Sequence, residues 1–253
     1  MNIELTEEER YLSAHISDLA ALSLKTGVPR FSRFLNEREA MIASYAARTS
    51  KANPYFYGGY DGAARTVCGF FDGTYAEELP KDGLYPLCAV TFSFRRGAGL
   101  SHRDFLGAIL GLGLQRSAVG DILTAEDYAL VFCTEESAEL ILGLEKIGRA
   151  GVKAANGVLR ELPQTEFSRA VKSVSSLRLD CVVCACTNIS REKSASLIKS
   201  GQVSADFSVC LDVSAIQRAG GVISIRGYGR YRLSEIIGET KKGRVRVAID
   251  KYI

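Results

Sequence analysis

The amino-acid sequence predicts an α+β protein made of a small N-terminal α/β region, a middle domain and a basic C-terminal domain. Three observations predict this class. Helix-like and strand-like hydrophobic patterns alternate along the 253 residues. The composition, 47% hydrophobic and 24% charged, is that of a folded chain. Basic residues concentrate in the last third, so we place the boundaries at 1–77, 78–162 and 177–253, with a linker at 163–176.

The charge of the chain is unevenly distributed. Residues 178–253 contain 13 Lys and Arg against 7 Asp and Glu, a net charge of +6, whereas the rest of the chain carries −3. Such asymmetry is typical of a module that binds a polyanion and is joined to a nearly neutral body.

Composition also argues against several classes of protein. No apolar run approaches the roughly 18–20 residues of a membrane span, so no membrane association is expected. The acidic start of the chain lacks the basic and apolar segments of a secretory signal. We therefore expect a cytoplasmic protein with reduced cysteines.

The seven cysteines have no regular spacing. Cys181, Cys184 and Cys186, with Cys210 further on, suggest zinc, but on one helix the side chains of the first three would point in diverging directions. We therefore predict no metal site, with zinc as a minor alternative, and buried reduced thiols instead.

The first part is predicted to contain two helices and a pair of strands. Capping boxes at 6–9 and 36–39 begin the two helices. Aromatic and β-branched residues at 55–60 and 66–71, separated by glycines, favour two short strands.

The second part is predicted to be a ferredoxin-like domain, with the order β-α-β-β-α-β that RNA-recognition motifs share. Its elements are a strand at 84–94, a helix at 101–112, strands at 119–123 and 128–133, a helix at 135–147 and a strand at 152–159. Phe92, Phe94, Tyr128 and Phe132 lie on the first and third strands, where RNA-recognition motifs stack bases. Because aromatic residues of strands usually pack, a core role is favoured for them.

Residues 162–176 contain a proline and a serine cluster, which favour a linker with one short helix. Two short helices follow. Ser190 is a good N-cap for a helix that begins at Arg191, and Gly201 is a good residue to end it. Cations along this helix, together with its N-terminal N–H groups, suit a phosphate backbone, whose contacts hold position rather than read sequence.

A basic β extension ends the chain. The runs at 225–232 and 240–246 combine arginine, lysine and glycine. Alternation at 244–247 places two arginines on one strand face, and Tyr228 and Tyr231 are suited to stack on an unpaired base. We favour RNA binding over a solvated basic strand pair. The candidate RNA-binding residues are Arg178, Ser190, Arg191, Lys193, Lys199, Gln202, Arg226, Arg230, Arg232, Lys241, Lys242, Arg244 and Arg246.

The last part resembles the S4 RNA-binding domain, named for its occurrence in a small-subunit ribosomal protein. Three pieces carry the resemblance: Arg-Leu-Asp at 178–180, Ser-Arg at 190–191, and the L-I-x-x-G-x-V run at 197–203. Arg191 is the position at which the resemblance most strongly implies RNA contact.

Longer motifs resemble the YlmH family of S4-domain proteins over roughly residues 30–253. They are the runs at 100–107, 111–116 and 119–123, Phe34-Leu35, Gly-Gly-Tyr at 58–60, Arg65 and the basic runs of the tail. His102, Arg103 and Arg116 lie within these runs and are possible RNA contacts, with a structural role equally open for His102 and Arg103. The glycines at 107, 111 and 113 are expected to let their helix pack closely.

The resemblance implies a non-enzymatic RNA-binding protein of the bacterial cytoplasm, or of plastids in plant relatives. Its implied partners are rRNA and tRNA on the large ribosomal subunit. Members are linked to rescue of stalled translation, so translation-rescue factors are implied as possible partners. No cofactor and no small-molecule substrate is implied.

Two other functions stay open. S4 modules also occur on RNA-modifying enzymes, but the Arg-Leu-Asp run is already used at the S4 start. Gly-Leu-Gly at 111–113 ends a helix, whereas a cofactor-binding loop would begin one, so we predict no catalytic residue. Alternatively, the N-terminal region could make the chain an adaptor that binds a protein partner, for example in cell division.

Overall fold

The computed structural model describes residues 5–71, 83–163, 167–206, 208–240 and 243–252. The chain divides into two compact units, Met1–Pro163 and Gln164–Ile253. Helices combine with antiparallel sheets in both units, so the protein is α+β, as the sequence predicts. The predicted boundary at 77/78 falls outside the described residues.

The N-terminal region of the first unit packs two helices on a three-stranded antiparallel sheet with the order β1-β3-β2. Its elements are α1 (Glu7–Thr26), β1 (Arg30–Leu35), α2 (Glu37–Thr49), β2 (Tyr55–Tyr57) and β3 (Thr66–Phe70). Both helices begin at the predicted capping boxes. The sequence does not indicate β1, because a bulge between Phe31 and Phe34 interrupts its alternation.

The rest of the first unit has the predicted order of elements, with one additional short strand, β7. The elements are β4 (Leu87–Phe94), α3 (His102–Gly111), a 3-10 turn (Arg116–Ala118), β5 (Val119–Thr124), β6 (Tyr128–Thr134), α4 (Glu135–Leu142), β7 (Lys146–Ile147) and β8 (Ala150–Asn156). The strands form one antiparallel sheet with the order β5-β6-β4-β8-β7.

Helix α4 is shorter than the predicted 135–147. It ends at Leu142 with Gly143 as its cap, and the Lys146–Ile147 pair forms β7 against β8. Glycine is unfavourable inside a helix, so α4 stops at Gly143. The residues that follow pair with β8 instead of continuing the helix.

The core beneath α3 and α4 fills one face of this sheet. Phe92 of β4 is fully buried against Phe105 of α3, with ring centroids 5.5 Å apart. Ile109 and Ile141 bring the two helices onto the same cluster. Each such side chain contributes about 1.5–3 kcal/mol by burial.

The glycines of α3 do not have the predicted packing role. A Cβ added at Gly107, Gly111 or Gly113 would meet no atom within 4 Å. These positions face open space, so the expectation of close helix packing there is wrong.

The second unit places two helices on a six-stranded antiparallel sheet with the order β11-β10-β12-β13-β14-β9. Its elements are β9 (Phe167–Val174), α5 (Leu179–Thr187), α6 (Arg191–Lys199), β10 (Val203–Ala205), β11 (Ser208–Val209), β12 (Val222–Ile225), β13 (Gly229–Glu239) and β14 (Val245–Tyr252). Leu179, Val183 and Ile198 of the helices share one core with Tyr231 and Ile249 of the sheet.

The prediction of a linker with a short helix at 163–176 is wrong for residues 167–174, which form strand β9. Strand β9 pairs along its whole length with β14, from Phe167 opposite Tyr252 to Val174 opposite Val245. β9 is an edge strand, and Val174 is its only buried residue. Its sequence therefore shows little alternation between apolar and polar residues, and only the main-chain hydrogen bonds to β14 identify it as a strand.

In the described part of the chain, no helix combines the length and apolarity required to cross a membrane.

Candidate nucleic-acid interface

A buried aspartate holds two candidate arginines of the second unit. Asp180 lies in the first turn of α5 and is 4% exposed. Its Oδ2 accepts a hydrogen bond from Arg191 Nε at 2.8 Å, and its Oδ1 accepts one from Arg178 Nε at 3.2 Å. We call Asp180 with Arg178 and Arg191 the Asp180 clamp. It joins the N-cap of α5 to the first turn of α6.

The Asp180 clamp keeps its charges and presents them to solvent. Burial opposes ionisation of Asp180, but the hydrogen bonds from Arg178 and Arg191 outweigh it and lower the pKa of Asp180 to about 2. The side chains of Arg178 and Arg191 remain 36% and 55% exposed. A guanidinium has five N–H donors, so one held by an aspartate can still donate to a phosphate.

Ser190 has a structural use at this surface. Its hydroxyl accepts a hydrogen bond from the backbone N–H of Lys193 at 3.2 Å, which makes Ser190 the N-cap of α6 as predicted. This cap fixes the start of the helix beside Arg191.

The two candidate lysines of α6 do not share one direction. Lys193 and Lys199 are both exposed. At about 100° per residue, Lys199 lies about 80° around the helix from Arg191, whereas Lys193 lies about 160° away. The fold therefore groups Lys199 with the Asp180 clamp more closely than Lys193.

Four other candidates lie on the opposite side of the second unit. Gln202, Arg226 and Arg230 line one open depression, and Arg232 follows on the same face of β13. The helices pack against the other face, where Tyr231 is buried. The sheet therefore separates this set from the Asp180 clamp.

The predicted stacking role of Tyr231 is wrong. Its ring is 5% exposed, and its hydroxyl donates a hydrogen bond to the carbonyl oxygen of Tyr228 at 3.1 Å. Tyr228 is itself partly buried against the same core. Strand alternation sends Arg230 and Arg232 outward and the tyrosine between them inward.

The basic run at 240–246 is divided. Arg244 Nη2 donates to the carbonyl oxygen of Ser173 at 2.8 Å and thereby ties the start of β14 to β9. Arg246 is exposed on β14. Lys241 and Lys242 lie outside the described residues, so their roles stay predictions.

Arg116 of the first unit holds the chain at the start of β5. Its Nη1 donates to the carbonyl oxygens of Val119 and Gly120, at 3.1 Å for the latter. Burial and the neighbouring guanidinium of Arg65 lower the pKa of Arg116 to about 10. Its carbonyl partners give Arg116 a clear structural use.

His102 and Arg103 are exposed at the start of α3. Partial burial of the ring and the nearby charge of Arg116 lower the pKa of His102, so the ring is neutral near pH 7. Asp104 accepts hydrogen bonds from the backbone N and the Oγ of Ser101, at 2.8 and 2.6 Å. Of this motif, only Arg103 offers a permanent positive charge to RNA.

Several motifs of the first unit meet at one joint between β5 and the N-terminal region. Asp121 Oδ2 accepts a hydrogen bond from the hydroxyl of Tyr60 at 2.8 Å, and Oδ1 accepts one from the N–H of Arg65 at 3.2 Å. Arg65 Nε donates to the carbonyl oxygen of Val119 at 3.0 Å. These motifs therefore hold the unit together.

The joint covers the sheet face that an RNA-recognition motif would use. Phe132 is 1% exposed, stacks on Tyr60 at 4.9 Å between ring centroids, and shares a cluster with Phe34. Phe92 is buried on the helix side. Tyr128 is half-buried, and its hydroxyl donates to the carbonyl oxygen of Glu161 at 2.8 Å. The core role favoured for these aromatics is confirmed for Phe92 and Phe132.

The sequence did not indicate the roles of five residues at these surfaces. Asp180 anchors two arginines, and four residues lie on the face of the second unit's sheet opposite α5 and α6: Phe167, Arg169, Asp250 and Tyr252. Asp250 offered a signal, because it directly follows the apolar run 247–249, and a buried charged residue normally has a partner. The partners themselves come from β9 and β13, so only the strand order identifies them.

Comparisons with known proteins agree with this architecture. Residues 85–161 match the family model described as "Putative RNA-binding domain in YlmH", so the chain carries a YlmH-type domain. A Bacillus subtilis (strain 168) relative, "Ribosome-associated protein quality control protein P2", is 32% identical over 226 residues, covering 88% of this chain and 87% of the relative. The chain belongs to the YlmH family.

A solved structure gives the same fold at lower identity. It is titled "Cell division protein ylmH from Streptococcus pneumoniae" and aligns with a TM-score of 0.51 at 19% identity. The alignment covers 62% of this chain and 94% of that one. This likeness concerns the fold alone.

Proposed function

We propose that this protein binds rRNA and tRNA on the large ribosomal subunit, in the cytoplasm, and acts in rescue or quality control of stalled translation. The name of the Bacillus subtilis relative, a ribosome-associated quality control protein, supports the setting. The matched domain of residues 85–161 supports the ligand class. Translation-rescue factors are further partners in this proposal.

The Asp180 clamp is the observation that carries the proposal. It fixes two exposed guanidinium groups on adjacent helix starts, beside the N-terminus of α6. Fixed guanidinium groups and helix N–H groups together suit phosphate oxygens of a folded RNA. Because phosphate contacts dominate, binding is positional and strongly dependent on salt.

Two fold assignments belong to this proposal. We assign the second unit as an S4-type domain with a basic β extension, supported by the helix pair that follows the Arg-Leu-Asp run. We assign residues 78–162 as ferredoxin-like, supported by the antiparallel order β5-β6-β4-β8 with both helices on one face.

The proposal includes no catalytic step. The motifs contain three carboxylates, and each has structural partners: Asp104 accepts hydrogen bonds from Ser101, Asp121 accepts them from Tyr60 and Arg65, and Asp180 accepts them from two arginines. Each carboxylate is therefore engaged in holding its own surface together.

Co-sedimentation with purified large ribosomal subunits tests the proposal. We expect Arg191→Ala to lower affinity by about tenfold or more, because one charge-assisted phosphate contact contributes about 1.5–3 kcal/mol. Arg10→Ala is the matched control, since Arg10 is an exposed helical arginine of the first unit. Equal binding by Arg191→Ala and wild type would contradict the proposal.

Crosslinking in living cells, followed by sequencing of the bound RNA, identifies the partner. Large-subunit rRNA together with tRNA, both reduced by Arg191→Ala, supports ribosome rescue. A single RNA stem would favour a modifying enzyme, and protein partners without RNA would favour an adaptor. Either of these last two outcomes would overturn the proposal.

A further inference from the structure

The outer face of the second unit's sheet is the surface opposite α5 and α6. One row of residues crosses it on five neighbouring strands: Ser204, Ser224, Arg230, Tyr252 and Phe167. With strands about 4.8 Å apart, this row is about 19 Å long. We call it, with the adjacent row described next, the outer sheet face.

The adjacent row runs from Val222 through Arg232 and Asp250 to Arg169. Asp250 is 1% exposed, and its carboxylate accepts hydrogen bonds from Arg169 at 2.7 and 3.2 Å and from Arg232 at 3.0 Å. Arg169 nevertheless remains 59% exposed and Arg232 37%. The buried carboxylate holds both guanidinium groups in place on an accessible surface.

Aromatic rings and arginines alternate on this face. The guanidinium of Arg232 lies 4.7 Å from the ring centroid of Phe167, and that of Arg230 lies 5.1 Å from the ring of Tyr252. The two rings meet edge to face at 4.9 Å. Flat guanidinium planes and rings of this kind are the groups on which proteins stack unpaired bases.

The far end of the row is polar and concave. Gln202, Ser204, Ser224 and Arg226 line an open depression that also includes Arg230. An amide and two hydroxyls there can exchange hydrogen bonds with base edges or with a ribose 2′-OH, and Arg226 can meet a phosphate.

We propose that the outer sheet face binds a short unpaired RNA segment, separately from the structured RNA held at the Asp180 clamp. This proposal rests on the proposed function, since it assigns a second RNA surface to the same protein. Bases stack on the Phe167, Tyr252 and Arg230 group, and backbone phosphates meet Arg169 and Arg226.

Unpaired RNA fits this face better than an acidic protein segment does. A carboxylate-rich partner needs cations alone, whereas this face also offers two rings and a hydroxyl-lined depression. In a duplex the base faces are stacked on each other, so only an unpaired segment can use the rings.

Fluorescence anisotropy of the full-length protein with two labelled probes tests the proposal. The probes are an oligouridylate of about eight nucleotides and a hairpin from large-subunit rRNA. We expect the double variant Phe167→Leu with Tyr252→Leu to weaken oligouridylate binding about tenfold or more, because stacking supports each base. Hairpin binding should change less than twofold. Tyr45→Leu, at a 61% exposed tyrosine of α2, is the matched control.

Arg226→Ala provides a second variant at an exposed position that should leave folding intact, and it should also weaken the oligouridylate selectively. Unchanged oligouridylate binding, or an equal loss for both probes, would each overturn the proposal. Arg191→Ala should show the reverse selectivity. If Arg191→Ala leaves hairpin and ribosome binding intact while the Phe167 and Tyr252 variant acts as expected, the proposed function fails and the second surface stands.

Discussion

Buried carboxylates are the residues that organise the charged surfaces of the second unit. Asp180 and Asp250 are 4% and 1% exposed, and each accepts hydrogen bonds from two arginines of different elements. The hydrogen bond from Arg169, against the opposing effect of burial, lowers the pKa of Asp250 to about 2, with a further contribution from Arg232. In both cases a buried carboxylate holds the guanidinium groups of an exposed surface in position.

Asp180→Asn tests this dependence. We expect weaker hairpin RNA binding and a loss of about 2 kcal/mol in the free energy of unfolding at pH 7, because a charged hydrogen-bond acceptor is removed. A carboxyl with a lowered folded pKa stabilises the protein above its unfolded pKa of about 4, and this contribution is lost as pH falls towards 2. The difference between Asp180→Asn and wild type should therefore shrink between pH 4 and pH 2 in denaturation measurements.

Asp18→Asn is the control for that experiment, since Asp18 is an exposed aspartate of α1. It should change the free energy of unfolding by less than about 0.5 kcal/mol. A similar loss for both variants would show that Asp180 has no special role.

At the scale of elements, two glycines allow close contact between the three-stranded sheet and the five-stranded sheet of the first unit. A Cβ at Gly120 would lie 2.5 Å from a ring atom of Phe34, and a Cβ at Gly59 would lie 2.3 Å from a ring atom of Phe132. Gly59 also has φ of +98°, which L side chains rarely adopt. These close approaches let the aromatic cluster cover the central sheet.

Gly59→Ala should therefore lower the free energy of unfolding by about 2 kcal/mol or more, as overpacking and backbone strain combine. Gly107→Ala is the matched control on α3, where an added Cβ meets no atom within 4 Å. There we expect a gain of about 0.5–1 kcal/mol from helix propensity. Thermal unfolding of both variants measures the difference, and a stabilised Gly59→Ala would contradict the packing argument.

Across the whole molecule, positive charge is concentrated on the second unit, on two faces that its sheet separates. For a protein that binds phosphates, the logarithm of the binding constant falls linearly with the logarithm of the salt concentration. The slope is proportional to the number of phosphates contacted. The basic run at 240–246 contains four cations that can contact phosphates.

Replacing Lys241, Lys242, Arg244 and Arg246 together by alanine should flatten the salt dependence of RNA binding. The slope should fall by up to about 3, because each phosphate contact contributes about 0.7–0.9. Binding measured from low to moderate salt gives the slope directly. An unchanged slope would mean that this run does not touch phosphate, and Arg244, which donates to Ser173, is the residue expected to contribute least.

The sequence alone determined the fold class, the capping boxes at 6–9 and 36–39, the family, and the order of all elements except β7 in the middle domain. These features are encoded locally, in hydrophobic period, cap residues and motif spacing. Only the tertiary structure decided which aromatic residues face solvent, that Asp180 and Asp250 anchor the arginines, and that β9 closes the sheet. The Asp250 contacts and the pairing of β9 join segments far apart in the chain, and strand pairing between distant segments leaves no local pattern to read. Asp180 and Arg191 are only 11 residues apart, but they meet because α5 and α6 pack together in the folded unit.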